Sequence, residues 1–388
     1  MDKTANEKKV EDNAMKILIG ADLVPTTDNL VQFKNGDIMS LVGKDLKKLL
    51  GESDYTLMNL ETPLSDNPSP INKLGPALIS STAVINGIKA INPHFFTLAN
   101  NHIMDQGTEG LRSTINCLKN VGIAYCGIGE DLAHMSSCYE KEWGGVKLGI
   151  YCCAEHEFSI ATDTKPGANP FDPLVSFNQV NDLHKECDYV IVLYHGGKEF
   201  YRYPSPLLQK VFRKFADAGA NLVIAQHTHC IGCFEKYNGA TLVYGQGNFL
   251  FNKKNDEYWN TSLLIGVDIA SRNQATIKYI PVRKNDIGVE IAEGEDAQEI
   301  LSDFYKRSKE ITDSNTVRQK YEAFAESKFA EYSVCFAGNR FWLRLVRKLF
   351  GNKRVEKLVN KRNAVRLYNF IECEAHRELY LTALRKRI

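Results

Sequence analysis

The stretch from His94 to Cys117 begins His-Phe-Phe-Thr-Leu-Ala-Asn-Asn-His-Ile-Met-Asp-Gln-Gly and decides the fold. Its aromatic and β-branched start predicts a buried strand. The polar residues that follow end in Gly107 and predict a loop. Apolar residues after Gly107 recur at helical spacing and predict a helix. The stretch therefore predicts one strand–loop–helix unit of an α/β sheet.

Three polar side chains of this loop can act together chemically. Asn101 offers an amide oxygen to a metal, His102 can donate a proton, and Asp105 can orient the imidazole. The three residues follow a strand, and α/β sheets bind ligands outside the carboxyl ends of their strands. A turn that caps the next helix uses the same residue types, so the loop alone leaves both interpretations open.

Polar and titratable residues recur at the ends of four other predicted strands. These end positions are Asp22, Asn59 with Glu61, His195, and His227 with His229. A charge at the end of a buried strand is costly unless it is paired or bound to a metal. Taken singly, each histidine can be a core residue and each carboxylate can cap a turn. Their recurrence favours one shared site.

This set of side chains predicts a site for one or two divalent metal ions. Imidazole, carboxylate and amide-oxygen ligands together suit Mn²⁺, Zn²⁺ or Fe²⁺. A pair of ions suits displacement at phosphorus, because it stabilises both the attacking and the leaving oxygen. A serine hydrolase has little support, since the sequence has no Gly-x-Ser-x-Gly elbow and no serine that ends a strand.

The order of predicted strands and helices indicates an α/β fold in three regions. Residues 1–14 are charged and predict a flexible N-terminus, and residues 15–285 predict the domain that carries the site. Residues 286–388 change to helical periodicity and predict a basic, amphipathic helical C-terminal region. The segment 155–173 contains three prolines and has no periodicity, so we expect a functional lid or insertion there.

The composition is typical of a globular protein without a membrane span. Of the 388 residues, 44% are hydrophobic and 24% are charged, and no run of about 18 apolar residues occurs. The N-terminus lacks the apolar core of a signal peptide. Among the ten cysteines, Cys230 and Cys233 form the one Cys-x-x-Cys pair, and no second pair of this spacing completes a zinc site. We therefore expect reduced thiols and a cytoplasmic protein.

The end of the chain is strongly basic. Residues 335–388 contain 14 Lys/Arg and 4 Asp/Glu, a net charge of +10, so the rest of the chain carries −9. A helical cap or oligomerisation arm explains such a solvated charged face. An interfacial amphipathic helix that is attracted to anionic lipid or to an anionic polymer explains it as well. Aromatic residues are sparse among these charges, so nucleic-acid binding is not favoured.

Five blocks of the sequence, taken in order, resemble the signature of the CapA family of poly-γ-glutamate capsule biosynthesis proteins. The blocks are Asn59–Glu61, Ala99–Gly107, His195–Glu199, Gln226–His229 and Tyr244–Phe249. CapA proteins are relatives of the calcineurin-like metallophosphoesterases. The resemblance covers about residues 16–252 and implies a four-layer α/β/β/α sandwich with its site at the strand ends. It also implies a divalent-metal-dependent phosphoesterase-like hydrolase that acts in capsule or exopolymer biosynthesis.

The resemblance implies roles for the matched residues. Glu61 is implied to bridge two metal ions, His102 to protonate the leaving oxygen, and Asp105 to orient His102. The implied metal ligands are Asp22, Glu61, Asn101, His195, His227 and His229. Four further polar residues are weaker candidates for contact with an anionic polymer or phosphoester substrate, namely Asn59, Lys73, Glu199 and Asn248.

The chain departs from the family pattern at two places. Phosphoesterases usually have a histidine two residues after the first aspartate, where this chain has Val24. The ion held by Asp22 and His229 would then be short of a ligand. Gln226 and Thr228 replace a small residue and a proline, and neither change removes a ligand. Two hypotheses remain, a metal-dependent phosphoric ester hydrolase and a non-catalytic scaffold that binds an anionic polymer.

Overall fold

The computed structural model describes residues 14–252, 256–272, 274–336 and 361–373, with isolated further positions up to residue 384. The chain divides into two compact units, Met1–Val317 and Arg318–Ile388. The helical residues from Gly294 to Val317 therefore belong to the first unit, and the helical residues after Val317 belong to the second. The division into domains that we predicted at residue 285 stays a prediction.

The described residues form both strands and helices. In chain order the strands are β1 (Met15–Leu23), β2 (Tyr55–Leu60), β3 (Phe95–Thr97), β4 (Ala124–Cys126), β5 (Ile128–Gly129), β6 (Met135–Ser136), β7 (Cys138–Trp143), β8 (Val146–Ala154), β9 (Gly167–Ala168), β10 (Tyr189–His195), β11 (Leu222–Gln226), β12 (Phe234–Tyr237), β13 (Ala240–Val243), β14 (Asn248–Leu250), β15 (Thr261–Ser271), β16 (Gln274–Lys284) and β17 (Val289–Ile291). The helices are α1 (Leu30–Asn35), α2 (Ile38–Gly51), α3 (Ile85–Ile91), α4 (Gly107–Asn120), α5 (Ser176–Glu186), α6 (Pro206–Asp217), α7 (Gly294–Glu310), α8 (Ser314–Phe336) and α9 (Lys361–Glu372). Two short 3₁₀ helices span Thr82–Val84 and Glu257–Trp259.

Two mixed sheets form the centre of the first unit. The larger sheet has eight strands in the order β17-β16-β15-β1-β2-β3-β4, and β14 also pairs with β1. The smaller sheet has six strands in the order β12-β13-β11-β10-β8-β7. Strands β1 to β4 are mutually parallel, and so are β8, β10, β11 and β13. A small third sheet has the order β6-β5-β9.

The two large sheets pack against each other and are covered by helices. Ile191 of β10 shares a core with Leu57 of β2, whereas its neighbour Val192 packs with Phe215 of α6 in a second core. Both faces of β1 and β2 are buried, and α2 contributes Leu46 to the first core. The layers therefore follow the order helix, sheet, sheet, helix, which confirms the predicted α/β/β/α fold class.

The parallel strands bring their carboxyl ends together. In the larger sheet, Asp22 on β1 pairs with Asn59 on β2 and with Asn248 on β14. In the smaller sheet, His195 at the end of β10 pairs with Gln226 at the end of β11. Residues that are far apart in the sequence therefore meet where these strands end, which is where α/β sheets place their ligands.

The second unit is described only in part. Helix α9 exposes Val365, Tyr368 and Ile371. Most of residues 335–388 lie outside the described residues, so the contacts that we predicted for this basic region stay predictions. Within the described stretches, no helix combines the length and apolar character needed to cross a membrane.

Candidate metal centre

Glu61 follows strand β2 and lies in the middle of a buried polar cluster. Its side chain is fully buried, and neither carboxylate oxygen has a hydrogen-bond partner among the described residues. His195 Nε2 lies 3.3 Å from Glu61 Oε1 and 3.0 Å from Asn101 Oδ1. A buried carboxylate without donors is costly unless a cation neutralises it. The surroundings of Glu61 therefore fit a bound cation.

Asp22 is the penultimate residue of strand β1, and hydrogen bonds hold both of its carboxylate oxygens. Asn59 Nδ2 donates to Oδ1 at 2.8 Å, and the backbone N–H of His227 donates to Oδ2 at 3.2 Å. Asn100 Nδ2 donates to Asn59 Oδ1 at 3.0 Å and so orients the Asn59 amide. Asp22 Oδ2 also lies 3.8 Å from His229 Nδ1. Asn59 thus positions the carboxylate of Asp22 beside the histidines.

The turn after strand β11 aims two imidazoles into the cluster. His227 has φ 88° and His229 has φ 55°. Residues other than glycine rarely adopt such angles, and the strain persists only where the surrounding structure imposes it. His229 Nδ1 lies 2.8 Å from Asn248 Oδ1, which fixes the ring. His227 Nδ1 is buried and has no hydrogen-bond partner in the described part of the chain.

Three overlapping groups of side chains could each hold a metal ion, because their ligand atoms lie within 4.8 Å of one another. Among the described residues these groups are Glu61/His195/His227, Asp22/Glu61/His229 and Glu199/His227/His229. Glu61, His227 and His229 each belong to two of these groups. Imidazole nitrogens combined with carboxylate oxygens suit divalent ions of intermediate hardness. The residues present therefore fit a divalent metal centre.

Burial shifts the pKa values of these ligands in opposite directions. It raises the pKa of Asp22 to about 7 and that of Glu61 to about 7. It lowers the pKa of His195 to about 4 and that of His229 to about 3. The imidazoles are therefore neutral at neutral pH, which is the form that binds a metal. A nearby cation would favour the ionised carboxylates, because opposite charges stabilise each other.

His102 and Asp105 form a buried pair beside this cluster. His102 Nδ1 lies 2.6 Å from Asp105 Oδ2, and Asp105 Oδ1 accepts a hydrogen bond of 2.6 Å from Lys73 Nζ. The side chains of Lys73 and Asp105 are 3% and 0% exposed. The backbone N–H of Leu78 also donates to Asp105 Oδ2 at 2.6 Å. Lys73 therefore supports Asp105 from within the protein, and its predicted contact with substrate stays a prediction.

The sequence comparison covers the part of the chain that carries this cluster. Residues 17–253 match the family described as bacterial capsule synthesis protein PGA_cap. The match spans more than half of the chain and includes every residue of the three groups. The chain belongs to the PGA_cap family. The resemblance to capsule biosynthesis proteins that we noted in the sequence is thereby confirmed.

Relatives of this PGA_cap protein include capsule proteins of two bacilli. Capsule biosynthesis protein CapA of Bacillus anthracis is 28% identical over 253 residues, which are 62% of this chain and 61% of that protein. PGA biosynthesis protein CapA of Bacillus subtilis (strain 168) is 28% identical over 243 residues, which are 61% and 60%. This chain therefore spans about three fifths of the length of these curated relatives.

The solved structures that resemble the PGA_cap chain include a phosphatase from Mycoplasma pneumoniae. The two share 14% sequence identity with a TM-score of 0.44, over 70% of this chain and 95% of that chain. A TM-score this low supports no conclusion about a shared reaction. The layer order and the metal centre of the PGA_cap protein therefore rest on its own packing and side-chain geometry.

Two residues of the segment 155–173 reach the PGA_cap site and were not predicted. Glu157 Oε2 accepts a hydrogen bond of 3.2 Å from Asn101 Nδ2, and Glu157 Oε1 lies 3.8 Å from His227 Nε2. Ser159 Oγ donates to the backbone O of Asn101 at 2.7 Å. The length and proline content of this segment predicted a functional loop, but no spacing rule marked the individual residues.

Aromatic residues that contact His229 in the PGA_cap site were also not predicted. The ring of Trp259 stacks on His229 with centroids 4.6 Å apart, and Phe251 meets the same imidazole edge-on at 5.7 Å. Lys284 Nζ lies 5.8 Å from the centroid of Trp259, and burial lowers the pKa of Lys284 to about 7. Phe251 directly follows β14 and Trp259 ends a 3₁₀ helix. Lys284 ends β16, which is antiparallel to its neighbours, so the pattern of parallel strand ends did not mark it.

Val24, which stands where phosphoesterases usually have a histidine, is a buried apolar residue in the structure. Val24 is buried, and its backbone N–H donates to the O of Leu250 at 2.7 Å. Its hydrocarbon side chain offers no ligand atom to the group formed by Asp22, Glu61 and His229. The PGA_cap chain therefore supplies three side chains to that group, Asp22, Glu61 and His229.

The close cysteine pair lies outside the three ligand groups. Cys230 and Cys233 are buried free thiols. Burial raises the pKa of the Cys230 thiol to about 11, which keeps it protonated and unreactive at neutral pH. These cysteines therefore contribute to the core of the PGA_cap fold.

Proposed function

We propose that this chain is a divalent-metal-dependent phosphoric ester hydrolase of capsule or exopolymer metabolism. The observation that carries the proposal is the environment of Glu61. Its carboxylate is fully buried and has no hydrogen-bond donor among the described residues, while three histidines and a second carboxylate surround it. A protein that keeps such a costly arrangement needs a cation there to offset the burial of charge.

The residues would form two ion sites that share Glu61. We assign Asn101, His195 and His227 to one ion, and Asp22 and His229 to the other. When bound, divalent ions supply positive charge that stabilises the oxygens of a phosphoryl group undergoing displacement. Neutral imidazoles suit this task, and burial already keeps the pKa values of His195 and His229 well below neutral pH.

His102 is the proton donor in this proposal. Its Nδ1 is engaged by Asp105 at 2.6 Å, which orients the ring and leaves Nε2 to face a leaving oxygen. Lys73 holds the other oxygen of Asp105 and keeps that carboxylate in place. His102 is 9% exposed, whereas Asp105 is fully buried.

The substrate class follows from the family. We propose a phosphoester associated with an anionic capsular polymer, in keeping with the names of the two CapA relatives. We further propose that the protein acts in the cytoplasm. The basic region 335–388 would then contact a polymer, the capsule machinery or the inner face of the membrane through its net charge of +10.

A second candidate function is supported by Val24. A valine at a ligand position weakens one ion site, and a weakened site suits a non-catalytic scaffold that binds an anionic polymer. Such a scaffold would hydrolyse no phosphomonoester or phosphodiester even when loaded with metal. Its binding to polymer would fall as ionic strength rises, because lysine and arginine contacts are screened by salt.

The deciding experiment is elemental analysis of the freshly purified full chain, followed by a panel of phosphomonoesters and phosphodiesters with added Mn²⁺. We expect bound divalent metal and hydrolysis of at least one substrate class. The variants H227A and H229A should lose both, whereas E186Q, which changes an exposed residue at the end of α5, should lose neither. Metal-free wild-type protein that cannot be loaded would rule out the hydrolase, and loaded protein without activity would favour the scaffold.

A further inference from the structure

The side-chain amide of Asn101 lies between the candidate metal centre and Glu157. Asn101 Oδ1 lies 3.0 Å from His195 Nε2, and Asn101 Nδ2 donates a hydrogen bond of 3.2 Å to Glu157 Oε2. An amide side chain can bind a metal ion through its oxygen only, because its NH₂ group is a donor and not an acceptor. The orientation of this amide therefore decides whether Asn101 can act as a ligand.

Glu157 favours the orientation that turns the amide oxygen toward His195. An ionised carboxylate offers acceptors only, so it attracts the NH₂ end of the amide and repels the carbonyl oxygen. The opposite orientation would place Asn101 Oδ1 against Glu157 Oε2 and the NH₂ group toward the metal centre. The Glu157 carboxylate thus disfavours the orientation in which Asn101 has no ligand atom to offer.

The contacts of Glu157 indicate that it acts through Asn101 and is not a ligand itself. Its other oxygen, Oε1, lies 3.8 Å from His227 Nε2, which is too far for a hydrogen bond. Glu157 also belongs to none of the three ligand groups found among the described residues. Of its two contacts with the centre, the hydrogen bond to Asn101 is the shorter.

Ser159 fixes the segment that carries Glu157 beside the loop that carries Asn101. Ser159 Oγ donates to the backbone O of Asn101 at 2.7 Å and accepts from the backbone N–H of Met104 at 3.2 Å. The backbone O of Ser159 accepts from the N–H of Ala168 at 2.7 Å, and Ser159 is fully buried. These hydrogen bonds hold the start of the Glu157 side chain at a defined distance from the amide.

We infer that Glu157 is a positioning residue that holds the amide oxygen of Asn101 toward the bound ion. In the proposed centre this is the ion of His195 and His227. The inference rests on the proposed function and adds to it a residue outside the ligand set. Removing a group that orients a metal ligand typically lowers metal affinity by about 10-fold to 100-fold. Glu157 should therefore affect the affinity for the ion without binding it.

The test compares Mn²⁺ binding by the full-length wild type, E157A and E157Q at pH 8. E157A removes the acceptor, whereas E157Q removes only the charge, because the glutamine oxygen can still accept from Asn101 Nδ2. The Glu157 side chain is 42% exposed, so neither variant opens a cavity in the core. Calorimetry and elemental analysis of dialysed protein give the number of ions and the affinity of each without relying on activity.

We expect E157A to bind one ion about 10-fold to 100-fold more weakly than the wild type, and E157Q to stay close to the wild type. The variant N101D provides a matched background, because a carboxylate presents an oxygen to the ion in either orientation. E157A should therefore lower Mn²⁺ affinity in the wild-type background and should not lower it in the N101D background.

Equal losses in E157A and E157Q would overturn the inference, because they would reflect the charge of Glu157 alone. Wild-type affinities in E157A, or the same loss from E157A in both backgrounds, would overturn it as well. An N101D protein that binds no Mn²⁺ would count against it too, since an oxygen is then present in every orientation. In all these cases the wild type still binds metal, so the proposed centre stands. A wild type that binds no Mn²⁺, Zn²⁺ or Fe²⁺ would instead overturn the proposed function itself.

Discussion

His102 Nδ1 and Asp105 Oδ2 lie 2.6 Å apart, and the carboxylate of Asp105 is fully buried. The same carboxylate accepts hydrogen bonds from the Lys73 ammonium and from the backbone N–H of Leu78. Asp105 thus has its orientation fixed by three partners, and through it the His102 ring is fixed as well. A ring held this firmly suits proton transfer to one defined position.

Replacing His102 with alanine should lower kcat without removing metal. General acid catalysis typically contributes about 10²–10⁴-fold, so we expect H102A to lose activity in that range toward an alkyl phosphoester. The loss should be much smaller toward a nitrophenyl ester, whose leaving oxygen needs no proton. Steady-state kinetics on the two substrates and elemental analysis provide the test. Equal losses on both substrates, or loss of bound metal, would contradict the proton-donor role.

The buried pair of Lys73 and Asp105 predicts a strong effect on stability. Removing one partner of a buried ion pair leaves an uncompensated charge and typically costs about 3–5 kcal/mol. We expect K73M to lower the free energy of unfolding by that amount in urea titrations. The double variant K73M/D105N should lose less than the sum of the single variants, because no unpaired charge remains.

The same variants distinguish a structural role of Lys73 from the contact with substrate that we predicted for it. If Lys73 supports Asp105, K73M should lower both the free energy of unfolding and kcat and should leave KM nearly unchanged. If K73M instead kept wild-type stability and raised KM for an anionic substrate, Lys73 would be a substrate ligand. The matched control is K165M, which removes an exposed lysine from the segment 155–173.

Metal affinity should rise with pH between pH 6 and pH 8. Burial raises the pKa values of Asp22 and Glu61 to about 7, so at pH 6 an incoming ion must displace their protons. At pH 8 the protons are already lost, and each displaced proton accounts for about a tenfold gain in affinity. The pKa values of His195 and His229, about 4 and about 3, lie below this window, so these imidazoles add no pH dependence.

Calorimetric titration with Mn²⁺ at pH 6, 7 and 8 provides the measurement. The variant E61Q cannot titrate at this position and should show a shallower pH dependence for any ion that it still binds. An affinity that is constant across the range, or that falls as pH rises, would show that the carboxylates are ionised without the metal.

The strand-end residues of the site could be predicted from the sequence, because a buried polar side chain needs a partner or a bound ion. Asp22 and His195 lie at the carboxyl ends of buried strands, and His227 directly follows one. A polar group at such a position needs a partner. Parallel pairing then decides that these ends meet, and the alternation of strands and helices predicts parallel pairing. The fold class and the grouping of the histidines are therefore encoded in local patterns.

The loop contributions could not be predicted in the same way. Glu157 and Lys73 lie on segments without periodicity, and nothing in their spacing shows which buried group each will face. Glu157 reaches Asn101 and His227 because the segment 155–173 folds back over the site. The burial of Lys73 depends on Asp105, which lies 32 residues further along the chain. Contacts between such distant residues are seen only in the tertiary structure.

The variant E61Q should bind less metal and yet make the metal-free protein more stable at pH 8. Burial raises the pKa of Glu61 from 4.5 to about 7, so the folded metal-free protein binds more protons than the unfolded chain between these values. Its stability therefore falls as the pH rises through this range, and the ionised carboxylate costs about 3 kcal/mol at pH 8. Glutamine removes that charge at almost constant size. Urea titrations in the presence of a chelator should show a gain for E61Q at pH 8 and a much smaller gain at pH 5, where Glu61 is already protonated in the folded state. A metal-free E61Q that is less stable than wild type at pH 8 would mean that a cationic group of the protein, and not a metal ion, neutralises Glu61.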